Sequence, residues 1–337
     1  MNESVLAIEK AAPGKIKGTV DIAEGKIFQI SQDMTSTNTL QRMGDVGIEV
    51  MKDIRSYKED GVQPFIATTG LTDIDHMIGG FKAGEFIILA AAASMGKTAL
   101  LLQILRNNIA NNLSVGMISL EMNKKAMCFR HISAESNIDS LRVMAGNITS
   151  NEFDRCVAAW KRINEMKFCI DDNSGLNEVT LRGAARRMVR LYDIKLLGVD
   201  YLQLMDCADN RESRQQEVSK ISRSLKNLAK ELGIPIVVLS QLSREVSSRN
   251  PPIPRLSDLR ESGALEQDAD DVLFIYRPEY YDLPTFRDGT PSTGFAEIII
   301  GKARNGQTGS QKTVFMKDRG TFENAYLGED KSEEIDN

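Results

Sequence analysis

One stretch of this chain, residues 86–105, limits the possible fold more than any other. An apolar run, Phe86–Ala91, leads into Ala91-Ala-Ala-Ser-Met-Gly-Lys-Thr98, and a helical sequence, Ala99-Leu-Leu-Leu-Gln-Ile-Leu105, follows directly. A turn with glycine and lysine between a strand and a helix is the setting of a phosphate-binding loop, or P-loop. We therefore expect a domain built around a strand, a loop and a helix that together hold a phosphate group.

The residue types of this loop suit a nucleoside triphosphate with Mg²⁺. Gly96 lets the backbone approach a phosphate closely, Lys97 brings positive charge to the β and γ phosphates, and Thr98 can offer its hydroxyl to Mg²⁺. The amino terminus of the following helix adds partial positive charge. The first glycine of the general pattern is alanine here. The predicted nucleotide-contacting residues are Ala93, Ser94, Met95, Gly96, Lys97 and Thr98.

Beyond the loop, short apolar runs alternate with stretches of helical period. The predicted strands are Phe86–Ala91, Val115–Leu120, Phe168–Asp171, Leu196–Asp200, Ile234–Ser240, Val272–Tyr276 and Glu297–Gly301. Helices are predicted over Gly96–Asn111, Glu178–Tyr192 and Gln215–Leu232, among others. This alternation predicts an α/β fold with a mostly parallel central sheet and helices on both of its faces.

Three polar residues stand at the ends of predicted strands, at the edge where ligands collect in such sheets. Asp200 is placed to organise Mg²⁺ together with Thr98. Glu121 can polarise an attacking water molecule, or it can simply be an acidic residue in the first turn of a helix. Gln241 can sense the γ-phosphate or position water, or it can be an ordinary loop residue.

Two further groups of residues carry charge close to turn signals. Lys302 and Arg304 precede Asn305-Gly306, a hairpin signal, and can reach the triphosphate of another subunit or form a solvated turn. Between residues 250 and 264, Arg260 can meet a phosphate and Gly263 frees the backbone for close approach. Aromatic residues are scarce there, so contact with a nucleic acid would follow its backbone. Composition alone equally fits an ordinary surface loop.

Residues before 61 are too few to form a core of their own. A predicted helix over 21–33 carries Ala23, Ile27, Ile30 and Met34 on one apolar stripe, and a second covers about 39–58. We interpret 1–20 as a tail or linker, 21–60 as a docking arm, 61–322 as the main domain and 323–337 as an acidic tail.

Composition excludes several classes of protein. The longest apolar run, Phe86–Ala93, has eight residues, too few for a membrane helix, and no secretory signal is evident, so a cytoplasmic protein is expected. Four cysteines form no C-x-x-C pair, which argues against zinc. The net charge of −5 comes from the acidic tail, and the neutral body carries two basic clusters, Arg182–Lys195 and Lys302–Arg319.

Taken together, these motifs resemble the DnaB family of replicative DNA helicases over about residues 21–327. The matching segments are Ser94-Met-Gly-Lys-Thr98, Ser119-Leu-Glu-Met122, Val199-Asp-Tyr-Leu-Gln-Leu-Met205, Glu217-Val-Ser-Lys-Ile-Ser-Arg-Ser-Leu-Lys226, Leu239-Ser-Gln-Leu-Ser243, Ser257-Asp-Leu-Arg-Glu-Ser-Gly263 with Glu266-Gln-Asp-Ala-Asp270, and Gly301-Lys-Ala-Arg-Asn-Gly306. A P-loop alone suits many ATPases, but this combination in this order is specific.

The resemblance implies a RecA-like motor that assembles as a ring of six with ATP between subunits. By family likeness, Glu121 is the catalytic base, Asp200 the Mg²⁺-linked acid and Gln241 the sensor. Lys302 and Arg304 resemble the pair that acts on the neighbouring subunit's ATP.

The same likeness implies movement along single-stranded DNA in the 5′→3′ direction. Arg260, Glu261 and Gly263 match the loop that holds the strand in the central channel. The helix at 21–33 resembles the linker helix that docks on the next subunit, and a helicase loader is a further expected partner.

Two departures from the family pattern accompany the resemblance. Ala92-Ala93 stands where the family usually has Arg-Pro, and about twenty residues precede the linker helix in place of the family's helical N-terminal collar. Contact with primase is therefore unsupported by these residues. Two alternatives stay open: a RecA-like recombination or repair ATPase, and an ATP-dependent loading or clamp accessory without unwinding activity.

Overall fold

The computed structural model describes residues 42–173, 177–200, 214–259 and 263–325. The predicted linker helix at 21–33 lies outside these ranges, and so do Arg260 and Glu261.

Helices and strands follow the predicted alternation. The helices are α1 (Met43–Glu59), α2 (Thr72–Ile78), α3 (Lys97–Ala110), α4 (Lys124–Ser136), α5 (Ser140–Ala145), α6 (Ser150–Glu165), α7 (Glu178–Tyr192), α8 (Arg214–Leu232) and α9 (Gly263–Asp268). The strands are β1 (Phe86–Ala91), β2 (Val115–Ser119), β3 (Phe168–Asp171), β4 (Leu196–Asp200), β5 (Ile236–Gln241), β6 (Asp271–Tyr276), β7 (Phe295–Ala303), β8 (Gly309–Met316) and β9 (Thr321–Asn324). Within the described ranges, no helix combines the length and the apolar character that crossing a membrane requires.

The strands form one sheet in the order β3-β2-β4-β5-β1-β6-β7-β8-β9. Pairing is parallel from β3 through β6 and antiparallel from β6 through β9. Strand β1 lies inside the parallel part and is buried along its whole length. Its side chains alternate between two cores, with Phe86 facing α7 and α8 on one side and Ile87 facing α2 and α3 on the other. The predicted α/β fold with a mostly parallel sheet is confirmed.

The antiparallel end of the sheet extends further than the sequence suggested. The Phe315 and Phe322 rings lie 4.7 Å apart between their centroids, and the Phe322 N–H donates to Oε1 of Gln103 on α3 at 2.6 Å. Strand β9 is therefore fixed to the core and ends at Asn324. Glu323 and Asn324, the first two residues of the predicted acidic tail, pair with β8 as the end of this strand.

Helix α1 confirms the second predicted arm helix over Met43–Glu59. None of its residues is buried, and its apolar side chains are exposed, among them Met51 at 64% and Ile54 at 47%. A helix with an apolar face and no buried residue gains little stability from its own chain. This feature fits the predicted docking arm.

His131 on α4 is a buried histidine whose two ring nitrogens have no hydrogen-bond partner in the described structure. Its ring meets the Phe168 ring edge-on, with the centroids 5.2 Å apart. Burial, together with a smaller effect of the nearby Arg106 charge, lowers the pKa of His131 to about 3. The imidazole is therefore neutral in the folded protein at pH 7.

We expect this histidine to make stability depend on acid. An unfolded histidine has a pKa of about 6.5, so below that pH the unfolded chain binds a proton that the folded chain excludes. The free energy of unfolding should fall by up to about 1.4 kcal/mol per pH unit as the pH drops from about 6.5 towards 3. Chemical unfolding of the His131→Leu variant should show a flatter pH dependence in this window.

The matched control is His76→Leu, since His76 is exposed on α2. This control should keep the wild-type slope. If the free energy of unfolding fell with pH at the same slope in His131→Leu and the wild type, the prediction would be contradicted.

Candidate nucleotide-binding site

The predicted P-loop joins β1 to α3 in the expected way. Gly96 caps α3 with φ 102°, and Ser94 has φ 61°, so the loop turns through left-handed conformations before the helix begins at Lys97. A Cβ atom on Gly96 would lie 3.1 Å from Phe322 and 3.3 Å from Phe315. Glycine is therefore needed here both for its backbone conformation and for the close approach of β8 and β9.

Lys97 lies over the interior of this loop. Its Nζ donates to the carbonyl oxygens of Ala91 and Ala92, both at 3.1 Å. Burial lowers the pKa of Lys97, while the charges of Asp200 and Glu121 raise it. The ammonium group is thus held at the mouth of the loop, where it can neutralise the charge of a phosphate chain.

Asp200 ends β4 beside the loop and is only 1% exposed. It accepts a hydrogen bond from the Thr98 hydroxyl. The pKa of Asp200 is raised to about 6, because burial and the Glu121 charge outweigh the opposing effects of the Thr98 hydrogen bond and the Lys97 charge. Its Oδ2 atom is buried and has no hydrogen-bond partner among the described residues. A buried carboxylate oxygen without a donor is costly unless a cation meets it.

These groups fit Mg²⁺. The Asp200 carboxylate and the Thr98 hydroxyl are neighbouring oxygen donors, and Mg²⁺ prefers a few protein oxygens together with water and substrate phosphates. No group of three or more His, Cys, Asp or Glu side chains in the described structure is arranged to hold a metal ion alone. The donor set therefore matches an ion that is held jointly by the protein and a phosphate chain.

A cavity of about 370 Å³ opens in front of the loop. Parallel pairing brings the strand ends together here, because Ala91 lies opposite Gln241 and Ser119 lies opposite Asp200. The Ser119 hydroxyl accepts from the Met122 N–H at 3.0 Å and so fixes the turn that carries Glu121. The residues lining the cavity are Ala93, Ser94, Gly96, Lys97, Thr98, Ala99, Glu121, Arg130 and Gln241.

Sequence reasoning missed two of these lining residues. Arg130 and Ala99 line the cavity, but a single arginine inside α4 forms no motif and gave no signal. The Met95 side chain, in the middle of the predicted nucleotide-contacting residues, is 1% exposed and packs into the core beneath the loop. Only the backbone of Met95 is left to meet a nucleotide.

Lys302 and Arg304 lie at the opposite edge of the sheet from the P-loop. Ala303 pairs with Asp271 at the start of β6, which is the amino edge of the parallel strands. The Lys302 Nζ donates to the carbonyl oxygens of Glu266 and Ala269 at 2.7 and 2.6 Å, near the end of α9. The Arg304 side chain is 63% exposed. The structure therefore does not bring this pair to the cavity of its own chain.

The hairpin predicted at Asn305-Gly306 is confirmed between β7 and β8. The Gln307 N–H donates to the Met77 carbonyl at 2.8 Å, and a Cβ on Gly306 would lie 2.4 Å from the same oxygen. The hairpin tip is thus packed against α2, which fixes the backbone next to Arg304. Of the predicted DNA-contacting residues, Gly263 begins α9 and is exposed, while the other two lie outside the described ranges.

Comparisons with known proteins identify the family. Residues 67–324 match the family model described as the DnaB-like helicase C terminal domain. The chain is 36% identical over 312 residues to the replicative DNA helicase DnaC of Bacillus subtilis, covering 92% of this chain and 67% of that protein. It is 37% identical over 308 residues to the replicative DNA helicase DnaB of Geobacillus stearothermophilus, covering 90% and 66%. The chain thus spans about two thirds of the length of these curated relatives.

Solved structures give the same result. One solved ATPase domain superimposes with a TM-score of 0.78 at 35% identity, covering 85% of this chain and 99% of that one. A structure titled as a DnaB-like replicative helicase and its interactions with primase has a TM-score of 0.75 at 31% identity, covering 94% and 81%. The predicted RecA-like P-loop fold is confirmed. The chain belongs to the DnaB-like family of replicative DNA helicases, and residues 67–324 are its C-terminal helicase domain.

Proposed function

We propose that this chain is the ATP-driven motor of a replicative DNA helicase, which moves 5′→3′ along single-stranded DNA as a ring of six and displaces the complementary strand. The observation that carries the proposal is the convergence of Lys97, Thr98, Asp200, Glu121 and Gln241 around one cavity, in a chain of this family. The named relatives are helicases, which favours this function over a recombination or repair ATPase.

In the proposed hydrolysis, water attacks the γ-phosphorus, the bond to the β–γ bridging oxygen breaks, and the products are ADP and inorganic phosphate. Glu121 lies at the cavity wall and accepts the proton of the attacking water, while Lys97 neutralises charge on the phosphate chain. Asp200 and Thr98 hold Mg²⁺, which supplies positive charge to the phosphate oxygens when bound. Gln241 ends β5 beside the loop and orients water or reports the presence of the γ-phosphate.

Arg304 is proposed to act on the triphosphate of a neighbouring subunit. The six residues of β1 separate the amino edge of the sheet, where Arg304 lies, from the P-loop at the carboxyl edge. At about 3.3 Å per residue this separation is roughly 20 Å, too far for a side chain to cross. Arginine in this position can meet a phosphate chain bound at a P-loop only if that P-loop belongs to another subunit, which is consistent with assembly into a ring.

Asp270 positions Arg304. This carboxylate is 2% exposed and accepts from the Arg304 guanidinium at 2.8 Å, from the Phe86 N–H at 2.8 Å and from the Lys226 ammonium group. Burial raises the pKa of Asp270, but the hydrogen bonds from Lys226, Phe86 and Arg304 outweigh it and hold the pKa below its usual value. One buried group therefore connects the first residue of β1, helix α8 and Arg304.

The Asp270→Asn substitution should lower kcat for DNA-stimulated ATP hydrolysis about 10-fold or more, because a neutral amide no longer fixes the guanidinium. This loss is a fraction of the about 10³–10⁵-fold that an arginine acting on a neighbouring subunit's phosphate contributes to kcat. The dissociation constant for ATP should stay within about twofold, since the nucleotide lies at the other edge of the sheet. The kcat for ATP hydrolysis, the dissociation constant for ATP and the stability of the protein against unfolding should be measured on the same preparation.

Asp288→Asn is the matched control, since Asp288 is an exposed carboxylate that pairs with Lys312 away from this network. It should leave kcat unchanged. A loss of stability in Asp270→Asn without a loss of kcat would contradict the positioning role.

The test of the proposed function is displacement of a labelled strand from a forked duplex with a 5′ tail, in the presence of ATP and Mg²⁺. Unwinding supports the helicase motor. DNA-stimulated hydrolysis without unwinding would favour the loading or clamp accessory, and filaments in place of rings by electron microscopy would favour a recombination ATPase. A cytoplasmic location, docking of the 21–33 segment on the next subunit, and contact with a loader are further parts of this proposal.

A further inference from the structure

A second cavity of about 190 Å³ lies beside the nucleotide cavity and is lined by basic side chains. Arg106 comes from α3 and Arg130 from α4, while Lys317 and Arg319 come from the turn between β8 and β9. The two residues of that turn belong to the basic cluster Lys302–Arg319, which the nucleotide site leaves unexplained. Three separate parts of the fold thus direct four positive charges to one small volume.

The charge in this cavity is poorly compensated. In the described parts of the chain, no carboxylate forms an ion pair with Arg106, Arg130 or Lys317. Within the same ranges Arg319 alone of the four has an acidic partner, the exposed neighbouring side chain of Asp318 at 3.1 Å. Such a set of cations is stable only with strong hydration or with an anion among them.

Arg106 shows the imbalance most clearly. Its guanidinium is partly buried, and burial lowers its pKa, with only the charge of Glu135 opposing that effect. Glu135 is itself engaged, since its Oε2 accepts from the Arg162 Nε at 3.3 Å. A partly buried guanidinium without a direct acidic partner is well suited to bind a phosphate, which it can meet through two parallel hydrogen bonds.

The position of this cavity suggests which phosphate it binds. Ala99 and Arg130 line both cavities, so the two spaces are neighbours. Ala99 is the third residue of α3, within the first turn whose N–H groups have no partner inside the helix and face a phosphate chain. A nucleotide whose phosphates lie between Lys97 and Ala99 has its nucleoside end within reach of the basic cavity.

A neutral ribose and base do not need four cations. We propose that the basic cavity binds a phosphate group carried on the ribose of the bound nucleotide, so that the site accepts nucleotides with a phosphate at the 2′ or 3′ position as ligands. This inference rests on the proposed nucleotide site but goes beyond ATP hydrolysis. Such a ligand would occupy the P-loop and the basic cavity at once and would compete with ATP.

Binding of ADP and of ADP carrying a 3′-phosphate to the full chain, in the presence of Mg²⁺, tests the inference by isothermal titration calorimetry. We expect the 3′-phosphorylated nucleotide to bind about 10-fold tighter, with a steeper dependence on salt, because charge-assisted hydrogen bonds are added. Arg106→Gln and Lys317→Gln should each reduce this preference several-fold and leave ADP affinity within about twofold. Lys312→Gln, a cation on β8 that pairs with Asp288, is the matched control and should keep the preference.

Equal affinity for the two nucleotides would overturn the inference while leaving the proposed function intact. Saturable binding of inorganic pyrophosphate to ADP-saturated protein, lost in Arg106→Gln, would show a site for a free anion and would overturn the assignment to a ribose phosphate. If neither nucleotide binds to the wild type, the proposed nucleotide site itself fails.

Discussion

Replacing Lys97 with alanine should abolish ATP hydrolysis. The Lys97 ammonium group is the cation held at the mouth of the loop, 3.1 Å from the carbonyl oxygens of both Ala91 and Ala92. Its charge stabilises the phosphate chain more strongly as negative charge develops in the transition state, and loss of one such group costs about 10²–10³-fold in turnover or more. Turnover with Mg²⁺ and single-stranded DNA should fall to background, and ATP affinity should fall as well.

The matched control is Lys125→Ala, because Lys125 is an exposed lysine near the start of α4. This variant should hydrolyse ATP at the wild-type rate. Measurable hydrolysis by Lys97→Ala above background would contradict the assignment of the P-loop, since no other lysine of the described ranges lines the cavity.

The edge of the sheet that carries the P-loop was predictable because strand ends are visible in a sequence. Parallel strands place their carboxyl ends at one edge, so Asp200, Glu121 and Gln241 could be assigned to one site from three separate apolar runs. Pairing of Ala91 with Gln241 and of Ser119 with Asp200 confirms this convergence.

Other features depended on contacts between distant segments. Strands β8 and β9 were not predicted, because the first half of β8, Gly309-Ser-Gln-Lys312, is polar and its apolar residues come only at the end that packs against Phe322 of β9. Arg130 and Arg106 are single arginines within helices, and only the folded chain shows that they meet Lys317 and Arg319. The burial of the Met95 side chain could not be predicted from the sequence, because the neighbouring residues of the same loop face the nucleotide cavity.

Arg304→Ala should stop hydrolysis by the ring while leaving ATP binding intact. The expected loss is about 10³–10⁵-fold, the range for an arginine that stabilises charge on the transferred phosphate. ATP affinity should stay close to that of the wild type, because the P-loop of the same subunit is at the other edge of the sheet. Fluorescent-nucleotide binding and steady-state turnover separate the two effects.

Mixing variants gives the sharper test of action between subunits. A Lys97→Ala subunit lacks its own site but retains Arg304, whereas an Arg304→Ala subunit retains its site but lacks the arginine. Each variant alone should be inactive, and co-assembled rings should recover hydrolysis at interfaces that combine an intact P-loop with an intact Arg304. If Arg304 acted within its own subunit, no mixture could recover activity, because every subunit would carry one defect.

Lys302→Ala provides the contrast within the same hairpin. The Lys302 Nζ is already satisfied by backbone carbonyls near the end of α9, whereas the Arg304 side chain is 63% exposed and is steadied by Asp270. We therefore expect Lys302→Ala to lower hydrolysis by disturbing α9 within its own subunit. Rings co-assembled from Lys302→Ala and Lys97→Ala subunits should then recover less hydrolysis than rings co-assembled from Arg304→Ala and Lys97→Ala subunits. Equal complementation by both variants would show that the two bases reach the neighbouring triphosphate together, as the family resemblance implies, and that the Lys302 ammonium group leaves α9 when the ring forms.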